Sequence, residues 1–284
     1  MIRTRLLIVS MVLLSFLCFS QPVLAGHITL ATSPQIKGTL TEEAGVIDFI
    51  IVNQGDETAF KVRVSLEPEE QYESLPVTLG DISPGERVKA SINFKLLNNP
   101  IPGKYPATAK VKYADGNGHP FSIVSPTLVD FKEKTVAKVA GAISPIELNP
   151  GSGAMLQVKV DNLDAEPRHF EVFLFTPDEI KTSMPKKTLY LTPGNDGNLG
   201  YYLGADSIAL GGSNYAIFAS ISYQEGGLRY SQLVTGRVSV ANPAPKDNDS
   251  QDNLLEDNTF WLLACTLVFL CAIYIYLDSK TSKR

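Results

Sequence analysis

Between residues 26 and 240 the apolar positions recur every second residue. Phe60, Val62, Val64 and Leu66 alternate with Lys61, Arg63 and Ser65, and Val88, Ala90, Ile92, Phe94 and Leu96 alternate with Lys89, Ser91, Asn93 and Lys95. A period of two predicts strands with one face in a core and the other in water. Further on, Leu156, Val158 and Val160 face away from Gln157 and Lys159. Phe170, Val172, Leu174 and Thr176 alternate with Glu171, Phe173 and Phe175, so that strand is apolar on both faces near its end. Turn-forming clusters separate the runs: Asn53-Gln54-Gly55-Asp56, Ser83-Pro84-Gly85-Glu86, Asp115-Gly116-Asn117-Gly118, Thr192-Pro193-Gly194-Asn195 and Glu225-Gly226-Gly227. Proline fixes one torsion of such a turn and glycine accepts the positive one. No internal stretch predicts a long amphipathic helix; residues 178–186 predict one short turn at most.

The pattern occurs twice. Ile51–Pro68 resembles Val160–Pro177, and Asn53, Pro68, Pro84 and Gly85 recur as Asn162, Pro177, Pro193 and Gly194, each 109 residues later. Tyr105 and Tyr113 recur as Tyr215 and Tyr223 at an offset of 110. Each copy predicts about seven antiparallel strands, which must bury two apolar faces against each other as a β-sandwich. The boundaries fall at residues 26–131 and 132–241. Tyr105 and Tyr215 open the penultimate strands, where a tyrosine can return its hydroxyl to nearby backbone.

The ends carry a different pattern. Arg3 and Arg5 precede an apolar run from Leu6 to Phe19, and Val23 and Ala25 fit a cleavage site, so residues 1–25 read as a secretory leader. The uncharged run Phe260–Leu277 has 18 residues. At about 1.5 Å per residue it is long enough to cross a hydrocarbon core. Residues 242–259 then read as a flexible polar stalk and 278–284 as a basic cytoplasmic tail. Together these predict an all-β protein, two tandem immunoglobulin-like β-sandwiches followed by a single transmembrane helix. The expected location is the cell membrane, single-pass, with the N-terminus outside, the C-terminus cytoplasmic and the bulk periplasmic or extracellular. Membrane lipid is the expected partner of residues 260–277. The three cysteines, Cys18, Cys265 and Cys271, all lie in these apolar ends, so the β region is held by its cores alone.

The stretch VNQGDETAFKVRVSLEP, followed by DISPGE and GKYPATAKVKYADGNG, resembles immunoglobulin-like modules of bacterial and archaeal cell-surface proteins. These are modules of the cell-adhesion-related or carbohydrate-enzyme-associated kind. Asn53, Gly55, Pro84, Gly85, Gly103 and Tyr105 carry the resemblance; the second copy departs from it at Asp164 and Ser213. It implies binding or scaffolding rather than catalysis.

Chemistry-bearing residues do not contradict that. His27, His119 and His169 share no ligand spacing, and no nucleophile elbow, phosphate loop or zinc-protease motif occurs. Asp115 with Asn117, and Asp161 with Asn162 and Asp164, place oxygen ligands in turns, where such residues also serve the local backbone. Glu67, Glu69, Glu70 and Glu73 form an acidic cluster after a strand. The formal net charge is −5, and without the two ends 20 Lys/Arg stand against 29 Asp/Glu, a balance of −9 that disfavours nucleic acid. No enzyme activity, metal or cofactor is expected. Tyr201, Tyr202, Tyr223 and Tyr230 are the candidate surface for a partner or a glycan. The expected function is a membrane-anchored extracytoplasmic scaffold or adhesion module binding an envelope protein or surface polymer. The alternative is a carbohydrate-binding accessory subunit of a polysaccharide-processing system.

Overall fold

Alternation along the chain becomes strands throughout. The computed structural model describes residues 27–36, 38–68, 70–149 and 151–242, and every regular element among them is a β-strand. The first half holds β1 (Leu30–Ile36), β2 (Ala44–Asn53), β3 (Ala59–Glu67), β4 (Tyr72–Ser74), β5 (Val77–Ile82), β6 (Arg87–Leu96), β7 (Gly103–Ala114) and β8 (Pro120–Phe131). The second holds β9 (Val139–Ile143), β10 (Ile146–Leu148), β11 (Gly153–Asn162), β12 (Arg168–Phe175), β13 (Ile180–Thr182), β14 (Lys186–Leu191), β15 (Asp196–Ala205), β16 (Asn214–Glu225) and β17 (Leu228–Val240). They form a sheet β1-β2-β6-β4, a sheet β13-β15-β11-β9, and a nine-stranded sheet β14-β12-β16-β17-β7-β3-β5, with β8 beside β7 and β10 beside β17.

Two apolar cores lie between facing sheets. In the first, Phe49 and Ile51 of β2 and Ile92 and Phe94 of β6 meet Val62 and Val64 of β3 and Ala109 and Val111 of β7. In the second, Leu156 and Val158 of β11 and Tyr201 and Leu203 of β15 meet Phe170 and Val172 of β12 and Ile217 and Ile221 of β16. Each such fully buried large side chain contributes about 1.5–3 kcal/mol relative to exposure. The phase slips once. Lys61 has φ +55° in a bulge of β3, so Ala59 rather than Phe60 is buried there, and the Lys61 amide bonds the Asp81 carboxylate at 2.9 Å.

The repeat is carried by one buried asparagine in each half. Asn53 donates to Glu57 O at 2.8 Å and Ile82 O at 3.0 Å, and accepts from the Gly55 amide at 3.0 Å. Asn162 donates to Glu166 O at 3.0 Å and Leu191 O at 3.2 Å, and accepts from the Asp164 amide at 3.0 Å. The amides of Gly85 and Gly194 close the pattern on the carbonyls of Asn53 and Asn162. Each asparagine ties the turn after one strand to the end of another, satisfying backbone groups that the turn leaves unpaired. The tyrosines diverge: Tyr105 donates its hydroxyl to Ile101 O at 2.8 Å, whereas the Tyr215 hydroxyl accepts from the Leu210 amide at 3.3 Å.

Two expectations are corrected. The halves are not separate tandem immunoglobulin-like sandwiches, because one sheet runs through both, β17 meeting β7 at Arg229 and Gly103. The reason is local: at Gly103 (φ +132°) a Cβ would stand 2.1 Å from Arg229 O, so only glycine lets the two backbones approach. Second, no helix of any kind occurs among the described residues, and none is long and apolar enough to cross a membrane. The spanning run at 260–277 was inferred from the transfer energy of an apolar stretch. Among the described residues apolar stretches are instead consumed between sheets, one side chain in two. Residues 1–26 and 243–284, which carry the expected leader, most of the stalk, the spanning helix and the tail, lie outside the described residues. Among the described residues the fold is all-β with no helix, and the lipid partner, the single-pass topology and the cell-membrane location are left without support there.

Candidate functional site

The four candidate tyrosines do not converge. Tyr201 and Tyr202 are neighbours on β15 and therefore point to opposite faces. Tyr201 is 0% exposed and donates its hydroxyl to Val172 O at 3.0 Å; burial pushes its phenol well up from the ordinary tyrosine range. Tyr223, 3% exposed, accepts the Lys138 amide at 3.0 Å. Its ring stacks on half-buried Tyr230 with centroids 4.9 Å apart and planes within 6°. Only Tyr202, 59% exposed, presents its ring to solvent. The apolar segment Leu199–Leu210 lies mostly in the strand β15.

What sequence reasoning missed is the junction between the halves. The described residues through Ala241 belong to one compact unit, in which β7 and β8 touch β16 and β17. Its centre is Glu179, 0% exposed, just before β13. Ser122 of β8 donates its amide to Glu179 Oε1 and its hydroxyl to Oε2, both at 2.7 Å, and the same hydroxyl accepts the Asp178 amide at 2.7 Å. Around this lock, the Ser231 hydroxyl donates to Lys104 O at 2.7 Å and lies 2.8 Å from that of Ser222. The Arg229 guanidinium stands 5.1 Å over the Tyr105 ring, and His119 Nε2 lies 2.9 Å from Ile208 O. One sequence signal pointed here: the second apolar face of β12, where Phe175 is buried and Phe173 half-buried.

Beside the lock lies a cleft of about 410 Å³ between two equivalent corners, Glu67, Pro68 and Glu70 on one side and Thr176, Pro177 and Asp178 on the other, with Phe173 and Pro185 in its wall. Lys110 stands in it, 2.8 Å from Glu67 and 3.2 Å from Asp178; Lys112 approaches Asp178 to 2.6 Å. Burial opposes ionisation of Asp178, but the Lys112 and Lys110 ammonium groups outweigh it and hold the carboxyl below its ordinary value. Lys186 joins Glu171 at 2.9 Å and Glu70 at 3.4 Å. The walls thus combine apolar proline and phenylalanine surface with paired charges of both signs, which suits a polar or peptide-like ligand better than a bare ion.

The oxygen-rich turns are committed elsewhere. Asp115 accepts the amides of Asn117 at 2.9 Å and His119 at 2.8 Å, and Asp161 pairs with Lys159 at 2.8 Å. Asp164 pairs with Arg168 at 2.7 Å, which holds its carboxyl below the ordinary range. Among the described residues no three histidine, cysteine or acidic side chains gather as a metal would need.

No family model and no curated protein sequence matches the chain. Among solved structures it is similar to α-2-macroglobulin of Escherichia coli, at 13% identity and a TM-score of 0.32 over 76% of this chain and 17% of that one. A Salmonella α-2-macroglobulin gives 13% and 0.32 over 76% and 16%, and the E. coli chaperone DraB gives 13% and 0.27 over 37% and 55%. The chain spans less than a fifth of the α-2-macroglobulins it matches. The resemblance to anchored cell-surface families of immunoglobulin-like modules is corrected: no family model matches, and one sheet runs through both halves. The motifs Asn53, Pro84, Gly85 and Tyr105 that carried it mark turn and corner geometry, which unrelated β proteins also need.

Proposed function

We propose that this chain is a non-catalytic extracytoplasmic interaction module that holds its two β halves in one fixed geometry and binds a partner protein or surface polymer. The Ser122–Glu179 lock carries the reading. A module that only tethered its ends would need no buried polar junction, whereas one that presents a composite surface must fix the angle between its halves. The cleft between the two corners is assembled from both halves and exists only while that angle is held. The leader-like residues 1–25 support export, and the acidic balance supports a partner other than nucleic acid.

The test is photo-crosslinking from position 181, at the cleft rim, in the full-length chain expressed in its native host. A discrete adduct that disappears in Ser122→Ala is expected. Adducts that are absent, or that persist unchanged in that variant, overturn the reading, as does hydrolytic activity of the purified chain on polymer or peptide substrates.

A further inference from the structure

On the outer face of the β11–β15 pair, we infer a stacking subsite for neutral saccharide, built by Tyr202 and Met155. This rests on the reading above and names the polymer it would bind. Met155 and Tyr202 are directly opposite each other in the antiparallel register, Gly153 opposite Gly204 and Gln157 opposite Gly200. Each large side chain therefore has a glycine on its diagonal, and each lies across it. A Cβ on Gly153 would stand 2.2 Å from Tyr202 Cζ, and one on Gly200 would stand 3.0 Å from Met155 Sδ. The ring and the thioether occupy the space where those glycines' side chains would rise.

The result is a low apolar ledge rather than a ring standing out from the sheet. Tyr202 and Met155 are 59% and 52% exposed. Covering a glycine across a strand pair explains where each side chain lies. It does not call for the two largest apolar side chains of this face to meet side by side in solvent.

Charge narrows the occupant. The charges flanking the ledge are already paired: Lys159 with Asp161 at 2.8 Å and Asp196 at 3.5 Å, and Lys181 with Asp206 at 3.4 Å. What remains beside the apolar pair is neutral and hydrogen-bonding, the Gln157 amide and the Tyr202 hydroxyl; a Cβ on Gly200 would also stand 3.5 Å from Gln157 Nε2, so that amide borders the same floor. An aromatic face beside neutral amide and hydroxyl groups matches a sugar ring, which offers one apolar C–H face and a rim of hydroxyls. Between β11 and β15 the backbone is fully paired, while their outer edges are paired only at Val158–Asn162 and Leu203–Ala205. A peptide strand would bond those outer edges through backbone and would survive Tyr202→Ala, whereas a sugar stacked on the ring would not.

The experiment titrates the full-length chain with neutral β-glucan and chitin-type oligosaccharides by calorimetry, with an acidic uronate series as contrast. Saturable binding of a neutral series is expected, about tenfold or more weaker in Tyr202→Ala, weakened in Met155→Ala, and retained in Tyr202→Phe and in Tyr190→Ala on β14. Absence of binding by the neutral series, equal binding by Tyr202→Ala, an equal loss in Tyr190→Ala, or a protein crosslinked at position 202 each overturn the ledge. Failure here with a Ser122-dependent adduct still formed at the corner cleft removes the saccharide subsite and leaves the wider reading intact.

Discussion

Ser122→Ala removes one oxygen and two hydrogen bonds. The hydroxyl donates to Glu179 Oε2 and accepts the Asp178 amide, so its loss leaves a fully buried carboxylate with the Ser122 amide alone and strands one backbone N–H. A hydrogen bond to a charged group is worth about 1.5–3 kcal/mol, and an orphaned buried amide adds about 1 kcal/mol or more. The change from serine to alanine opens almost no cavity, so the cost lies in the polar lock, about 3 kcal/mol in all. For a chain of this size that is a fall in Tm of about 6–12 °C. Denaturant unfolding of the full-length chain gives the stability, and amide hydrogen exchange at Asp178 localises it. Since the Asp178 amide loses its acceptor directly, its protection should fall about a hundredfold. Ser152→Ala, an exposed site with one 3.3 Å bond, should stay within about 0.5 kcal/mol of the parent. A loss as small in Ser122→Ala, with Asp178 exchange unchanged, would refute the idea that this contact holds the junction.

Asn53→Ala and Asn162→Ala should each cost about 3 kcal/mol by urea denaturation and agree within about 1 kcal/mol, since each side chain makes the same buried bonds in its own half; a neutral result at either position would break the equivalence. Gly103→Ala forces a Cβ to 2.1 Å from Arg229 O at φ +132°, so small-angle scattering should show the halves separating or the chain unfolding, and an unchanged profile would count against a shared sheet. Acid should loosen the junction. The folded pKa of Asp178 is depressed, so its contribution is present above the unfolded value near pH 4 and is lost as pH falls through the lower folded value. Asp178→Asn should lack that acid-dependent component, and equal acid sensitivity of parent and variant would contradict the assignment.

Much of the fold was legible because burial in a sheet is periodic and the side chain reports it directly. Ala90, Ile92, Phe94 and Leu96 are buried just where alternation placed them. Phe60 was misjudged because a bulge is a backbone event, and Lys61 carries no mark of its positive φ. The tyrosines were misjudged for a related reason. Composition brings Tyr201 and Tyr202 together, but the pleat sends one into the core and the other out, and alternation within GYYL alone does not say which. The junction was nearly invisible. Ser122 and Glu179 are separated by 57 residues and look like solvent-facing polar positions, and only the greasy outer phase of β12 showed that something must cover it.

The duplicated landmarks also separate what folding requires from what joining requires. Asn53 and Asn162 sit 109 residues apart and make matching bonds, since each half needs its own turn closed. The corners 109 residues apart are the same turn as well, with Gln71 and Ile180 both bonding back to a proline carbonyl at 3.1 Å. Yet the acidic residue at the shared position has two fates: Glu179 is buried against Ser122, while Glu70 stays half exposed and reaches Lys186 at 3.4 Å. A buried hydrogen-bonded carboxylate is costly to break, whereas an exposed ion pair contributes little. The buried carboxylate of the junction therefore comes from the second half's corner, whereas the matching Glu70 of the first half lines the cleft. That asymmetry, arising from one repeated turn, is what makes the two walls of the cleft differ in a protein of two similar halves.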